Sequence, residues 1–377
     1  MQYKEYELGE LLPFEQPTAY IVKSTDYNDS YSTPVLTAGK SFILGKTNEK
    51  YGIFDQLPVI IFDDFTTATQ FVNFKFKVKS SAMKILHINT ALVMPKYIFY
   101  RLQIIQFDHS THKRYWIQSY SKIKVSIPSL DEQSRIVSRI DELFSEIDKA
   151  VDRLKATKEQ LAVYRQAVLV DAFRVVTNST HLKIGYVCAK IVDCPHSTPK
   201  WEKNGKLCLR TTNFKRGYLD LQSPNYVSEE TFNDRNRRII PQPGDVLYSR
   251  EGSVLGIACT IPSNVYPCLG QRMMLLRSGE KLNNRYLMHY LNSPMVTNHV
   301  IATKGGTGSP HINVGDIKEF QIPIPSLEEQ SNIVRQIEEQ LSSCDNVEKT
   351  VDAILTQADA MRQSILKQAF EGKKDVY

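Results

Sequence analysis

At 377 residues the chain is too long for one ordinary domain and can bury two good cores. Its 42% hydrophobic and 23% charged content excludes a disordered or fibrous class. The first ten residues are charged and lack an apolar run, and no segment approaches the ~18 apolar residues of a membrane span, so neither a cleavable signal nor a membrane contact is expected.

The net charge of +6 is unevenly spread. Residues 1–126 carry 15 Lys and Arg against 11 Asp and Glu, and residues 177–323 carry 18 against 11. Residues 127–176 carry 8 against 9, and residues 324–377 carry 6 against 10. Basic stretches set on an acidic frame predict that the former meet a polyanion and the latter do not. None of the six cysteines (Cys188, Cys194, Cys208, Cys259, Cys268 and Cys344) forms a Cys-x-x-Cys pair. Reduced thiols of a cytosolic protein are therefore expected, with no zinc site.

Residues 1–126 read as an α+β recognition module. Residues 58–62 form an expected buried strand. Residues 71–79 alternate from Phe74, so that Phe74, Phe76 and Val78 face one way and Lys75, Lys77 and Lys79 the other. Such a basic face is commonly just solvated, and it is also a surface that contacts phosphates. Residues 37–40 and 109–114 read as polar, basic loops. Asp63 and Asp64 read as a turn or cap before a metal pair, and His109 and His112 have no obvious third ligand.

Residues 127–176 open a frame that recurs. Residues 127–134 read Ile-Pro-Ser-Leu-Asp-Glu-Gln-Ser, and residues 324–331 read Ile-Pro-Ser-Leu-Glu-Glu-Gln-Ser. The offset holds without a gap to Phe173 and Phe370, with roughly 20 of about 47 positions identical. Ser129 with Glu132, and Ser326 with Glu329, form capping boxes that start long helices. Apolar residues then recur at steps of four and three: Ile136, Ile140, Leu143, Ile147, Ala150, Leu154, Leu161, Tyr164 and Val168. The second seam is Ile333, Ile337, Cys344, Val347, Val351, Ile354, Ala358, Met361 and Ile365. Thr157 and Gln340 interrupt the pattern once each, and no Pro or Gly breaks either run. A heptad seam wants a helical partner. Two copies of one seam predict an antiparallel coiled coil with pseudo-twofold symmetry, on the order of 65 Å long.

Residues 177–323 form the second α+β module, with a turn at Pro243, Gly244 and Asp245, a strand over 246–248, and basic clusters at Lys215, Arg216, Arg235, Arg237 and Arg238. Residues 304–309, from Lys304, are glycine-rich but lack P-loop spacing, and fit a loop on a DNA backbone better than a nucleotide site. The expected division is thus 1–126, 127–176, 177–323 and 324–377. Neither an amino-methyltransferase motif nor a Walker motif is present, no nuclease centre stands out, and no catalytic residue is expected.

The duplicated Ile-Pro-Ser-Leu motif followed by a long helix resembles the specificity subunit of Type I restriction–modification systems. Residues 193–200, 243–247 with Arg250, Gly252 and Ser253, 308–313, and 62–67 with 79–84 are similar to elements of that family's target-recognition domains. The resemblance covers nearly the whole chain. It implies a non-catalytic, sequence-specific DNA-binding subunit in which each module reads one half of a bipartite target and the helices set the unread spacer. It also implies two methyltransferase subunits and motor–nuclease restriction subunits as partners, which would carry S-adenosylmethionine, ATP and Mg, in a prokaryotic cytoplasm. Val137, Phe144 and Val151, off the seam, are candidate docking residues. Lys75, Lys77, Lys79, Arg114, Lys215, Arg216, Arg235 and Lys304 are candidates for phosphate contacts. Arg250 and Arg272 are candidates for guanine. The competing reading is a coiled-coil scaffold with two protein-binding heads, which predicts binding insensitive to salt.

Overall fold

The computed structural model describes residues 3–37, 41–105, 107, 114–303 and 310–371. The chain divides into two compact units: Met1–Leu154 with Ala353–Tyr377, and Lys155–Asp352. The division falls inside both long helices, Leu130–Arg174 and Leu327–Glu371. Each unit therefore holds one recognition module, the start of the helix that follows that module, and the end of the other helix.

The reason is antiparallel pairing. In the second unit Lys158 pairs with Asp352 at 2.7 Å and Arg165 with Asp345 at 2.7 Å, so advancing along one helix retreats along the other. In the first unit Arg362 meets Asp148 at 2.5 Å. At the repeat offset Asp148 corresponds to Asp345 and Arg165 to Arg362. One ion pair is thus made twice, as antiparallel association of two sequence copies requires.

The capping box is complete at the second helix, where Ser326 N and Oγ donate to Glu329 Oε2 at 2.9 and 2.8 Å and Ser326 Oγ accepts from Glu329 N at 3.3 Å. These bonds hold the Glu329 carboxyl below its ordinary pKa. At the first helix Ser129 Oγ accepts from Glu132 N at 3.4 Å, while the Glu132 carboxylate turns to Arg135.

The seam is buried only in part. Ile136, Ile140, Ile147, Val168, Ile333, Ile337, Cys344, Val351 and Ala358 are buried, whereas Tyr164, Val347, Ile354 and Met361 remain exposed. Two helices alone shield a narrow stripe. Ile136 and Ile140, and Ile333 and Ile337, join the cores of the modules, while Cys344 and Val351 are as deeply buried outside those cores.

The modules differ in sequence yet share one plan. In the first, Lys4–Glu7 pairs antiparallel with Lys124–Ile127, bringing both module ends to the helix start. One sheet runs in the order Phe14–Glu15, Met83–His87, Val59–Asp63, Thr69–Val72; a second runs Ile43–Thr47, Thr33–Leu36, Lys77–Val78. In the second module His181–Lys183 pairs with Gln321–Pro323. Its sheets run Cys188–Asp193, Met273–Ser278, Val246–Ser249, Ala258–Thr260, and Tyr226–Val227, Lys206–Leu209, Cys268–Leu269. Each smaller sheet contains one parallel pair.

The strands expected at 58–62 and 246–248 are present as Val59–Asp63 and Val246–Ser249. The expected strand over 71–79 is not continuous. Thr69–Val72 and Lys77–Val78 belong to different sheets, and Phe76, Lys77 and Val78 are consecutively buried.

Candidate nucleic-acid interface

Burial sorts the candidate cations. Lys75 is exposed, 3.6 Å from an equally exposed Asp55. Lys79 is exposed over the ring of Tyr27, and Arg114 is exposed at the start of the short helix Tyr115–Gln118. Lys215, Arg216 and Arg272 are exposed in the second module. The Arg216 guanidinium turns back toward the Asn292 carbonyl at 3.4 Å, where burial works against its charge. Lys304 and most of the basic loop at 109–114 lie outside the described residues, as do residues 38–40.

Three candidates are corrected. Lys77 is 2% exposed, and its Nζ donates to the Tyr51 and Gly52 carbonyls at 2.7 and 2.9 Å, with Glu49 at 3.3 Å. Arg235 is buried and donates to the Leu269, Gly270 and Ser197 carbonyls. Arg250 is buried and forked onto Asp193 at 2.8 and 3.1 Å, with Glu251 at 2.8 Å. Each has its charge answered inside the fold and no fork left for phosphate or guanine.

Arg250 gathers the second module's surface instead. Its backbone N donates to Arg272 O and its carbonyl accepts from Ile312 N, both at 3.0 Å, while Gly252 N donates to Pro310 O at 2.9 Å. Asp193, which it grips, also faces His196 at 3.1 Å. Gln271 donates to the His196 carbonyl and accepts from Thr198 Oγ1 at 3.2 Å. Four stretches distant in sequence (193–198, 250–252, 271–272 and 310–312) therefore meet at Arg250, the first through its guanidinium and the last two through main-chain bonds. On their rim stand exposed His196 and Arg272. Arg272 holds φ at +65°, a region L-residues rarely adopt and one that clusters at functional sites.

The first module has a buried ion pair at the corresponding place, just past the central strand. Lys84 meets Asp64 at 3.2 Å, both side chains shut from solvent, and donates to Gln16 Oε1 at 3.1 Å. Asp64 Oδ1 accepts from Trp116 N at 2.9 Å. Asp63 caps the adjoining turn through Phe65 N at 2.9 Å and the Thr66 hydroxyl at 2.7 Å. The pair of aspartates is thus spent on a turn and a buried lysine.

Among the docking candidates, Val137 is buried in the first unit's core and Phe144 packs on Tyr100 at 5.6 Å, while Val151 remains half-buried. Sequence reasoning gave no role to His196, Gln271, Gln133 or Gln330. For the two glutamines the signal was present: they are identical at one position of the repeat, in a motif otherwise explained by capping.

Each unit repeats one plan: a module whose two ends meet in a strand pair at the start of a long helix, with the end of the other long helix packed on it. The family model described as "Type I restriction modification DNA specificity domain" matches residues 2–156 and 189–357. The chain is 34% identical over 339 residues to the "Type I restriction enzyme EcoR124I/EcoR124II specificity subunit" of Escherichia coli, covering 87% of this chain and 84% of that protein. It is 26% identical over 276 residues to the EcoKI specificity subunit of Escherichia coli strain K12, covering 68% of this chain and 58% of the other. Among solved structures, a chain from a study of complex assembly and conformational transition in a type I R-M system matches with a TM-score of 0.69 at 18% identity, over 98% of this chain and 97% of that one. The HsdS subunit from Thermoanaerobacter tengcongensis matches with a TM-score of 0.52 at 19% identity, over the same shares. The chain belongs to the specificity-subunit family of Type I restriction–modification systems.

Proposed function

We propose that each module reads one half of a bipartite DNA target and that the helix pair sets the unread spacer between the halves. The observation that carries this reading is the repetition of one plan, module plus helix start plus helix end, in both units. A binder of a single contiguous site has no need of two unlike heads on a duplicated frame. Lys75, Lys79, Arg114, Lys215 and Arg216 supply phosphate contacts, and Arg272 a base contact. Domain boundaries at 126, 176 and 323 separate readers from frame.

The subunit carries no chemistry of its own. It directs two methyltransferase subunits, which hold S-adenosylmethionine, and motor–nuclease subunits, which use ATP and Mg, in the cytoplasm of a prokaryote. The partners dock on the frame, where Leu143, Ile147, Val151, Ile354 and Met361 line an apolar groove of about 300 Å³ in the first unit. The names of the relatives, all specificity subunits, support this division of labour.

The test is selection by the purified full chain from a random-sequence duplex library, followed by salt titration. The expected result is two unlike short motifs at one spacing. Log affinity then falls linearly with log salt, with a slope near −0.9 per phosphate contact. A single contiguous motif contradicts the bipartite reading, and a flat salt response favours a protein-binding scaffold. With S-adenosylmethionine added, the chain alone transfers no methyl group.

A further inference from the structure

Gln133 and Gln330 occupy the same position of the repeat, and each is wholly buried where a long helix leaves its module. In the first unit Gln133 Oε1 accepts from Met94 N at 2.7 Å, and Nε2 donates to Leu92 O at 3.2 Å and Pro128 O at 3.0 Å. In the second, Gln330 Oε1 accepts from Asn283 N at 2.8 Å, and Nε2 donates to Lys281 O at 2.9 Å and Pro325 O at 3.0 Å. Each carboxamide thereby ties the strand-to-helix turn to the loop that opens a short module helix, Pro95–Leu102 or Asn284–Asn292.

Those short helices also hold the far end of the other long helix. Tyr97 packs edge-on to Phe370 at 5.2 Å, and Tyr286 packs on Phe173 at 5.2 Å. The apolar contacts bury area but tolerate sliding. Three directional bonds from one side chain to main-chain atoms do not. Their net contribution to stability is modest, but they define orientation.

Small angles matter here. Rotating a domain ~30 Å across by about 7° at its base moves the far side by ~3.4 Å, the rise of one base pair. A junction free to rock by that much accepts neighbouring spacers. We infer that Gln133 and Gln330 are positioning residues for spacer recognition: they lock each module's angle on its helix so that two half-sites are accepted at one separation only. This rests on the bipartite reading above.

The test uses full-length wild type, Gln133→Met and Gln330→Met, which keep the volume and lose the bonds. Each selects duplexes from a random library, and bound sequences are read for half-site motifs and spacer length. Wild type gives one spacer. Each variant keeps both motifs, while its preference for that spacer over the spacers one base pair shorter and longer falls by about tenfold. A variant that binds more weakly with the spacer preference intact overturns the inference and leaves the glutamines a purely structural role. No paired motifs with wild type removes the bipartite reading itself, and this inference with it. Hydrogen exchange on wild type covers variants that fail to fold. The Met94 and Asn283 amides exchange as slowly as the strands Val59–Asp63 and Val246–Ser249, and fast exchange at either overturns the inference.

Discussion

Lys75 and Lys77 carry the same charge two residues apart and have opposite fates. One stands in solvent, and the other is sealed against two carbonyls and Glu49. Alternation on the sequence cannot separate them, because the strand that would put both on one face is broken between Val72 and Lys77. Arg250 and Arg272 diverge likewise. Arg250→Met leaves the half-buried Asp193 with His196 alone and removes charged hydrogen bonds worth ~1.5–3 kcal/mol. Denaturant melts of the variant should show a loss of that order, and a loss below ~1 kcal/mol contradicts the clamp. Arg272→Ala should leave the melt unchanged and weaken only the selected target, by ~1–3 kcal/mol. An equal loss on unrelated duplex demotes Arg272 to a phosphate contact. Glu338 gives a pH signature. His289, then Arg285, hold its carboxyl below the ordinary value of 4.5. A depressed carboxyl contributes stability that is present in full above that value and drains as pH falls through the lower folded value. Wild type should therefore lose stability below pH 4.5 more steeply than Glu338→Gln, and parallel pH profiles contradict the pairing.

The long helices were legible from the sequence because two independent copies of capping and spacing agree. Their antiparallel sense was legible too, since a symmetric pair of copies demands it, and the twice-made ion pair of Asp148 with Arg362 and Asp345 with Arg165 follows from the repeat alone. What escaped was the exposure of Tyr164, Val347, Ile354 and Met361, because heptad spacing marks a stripe without saying what else covers it. The common topology of the modules also escaped, because strands of two to six residues leave little periodicity to read. Deleting residues 154–160 together with residues 351–357 removes one turn pair at matched positions. It shortens each helix by ~10 Å, or about three base pairs of spacer. Library selection should return both original half-sites at that shorter spacing, and an unchanged spacer refutes the ruler.

At the scale of the molecule the charge asymmetry and the duplication say the same thing. The two modules are basic and dissimilar, and the two helical stretches are acidic and repeated. Short motifs around residues 193–200, 250–253 and 310–313 carried little weight singly, and they acquire a reason when their backbones converge on Arg250. The rim of exposed His196 and Arg272 was not legible as a group, because the stretches that form it are far apart in sequence and meet only in the fold.

The most direct test of the account exchanges one reader. Residues 1–126 are replaced by the matching module of a relative with a different target, and the chimera selects duplexes from a random library. One half-site should change, with the other half-site and the spacer retained. A chimera that alters both halves, or neither, contradicts two independent readers on a common frame.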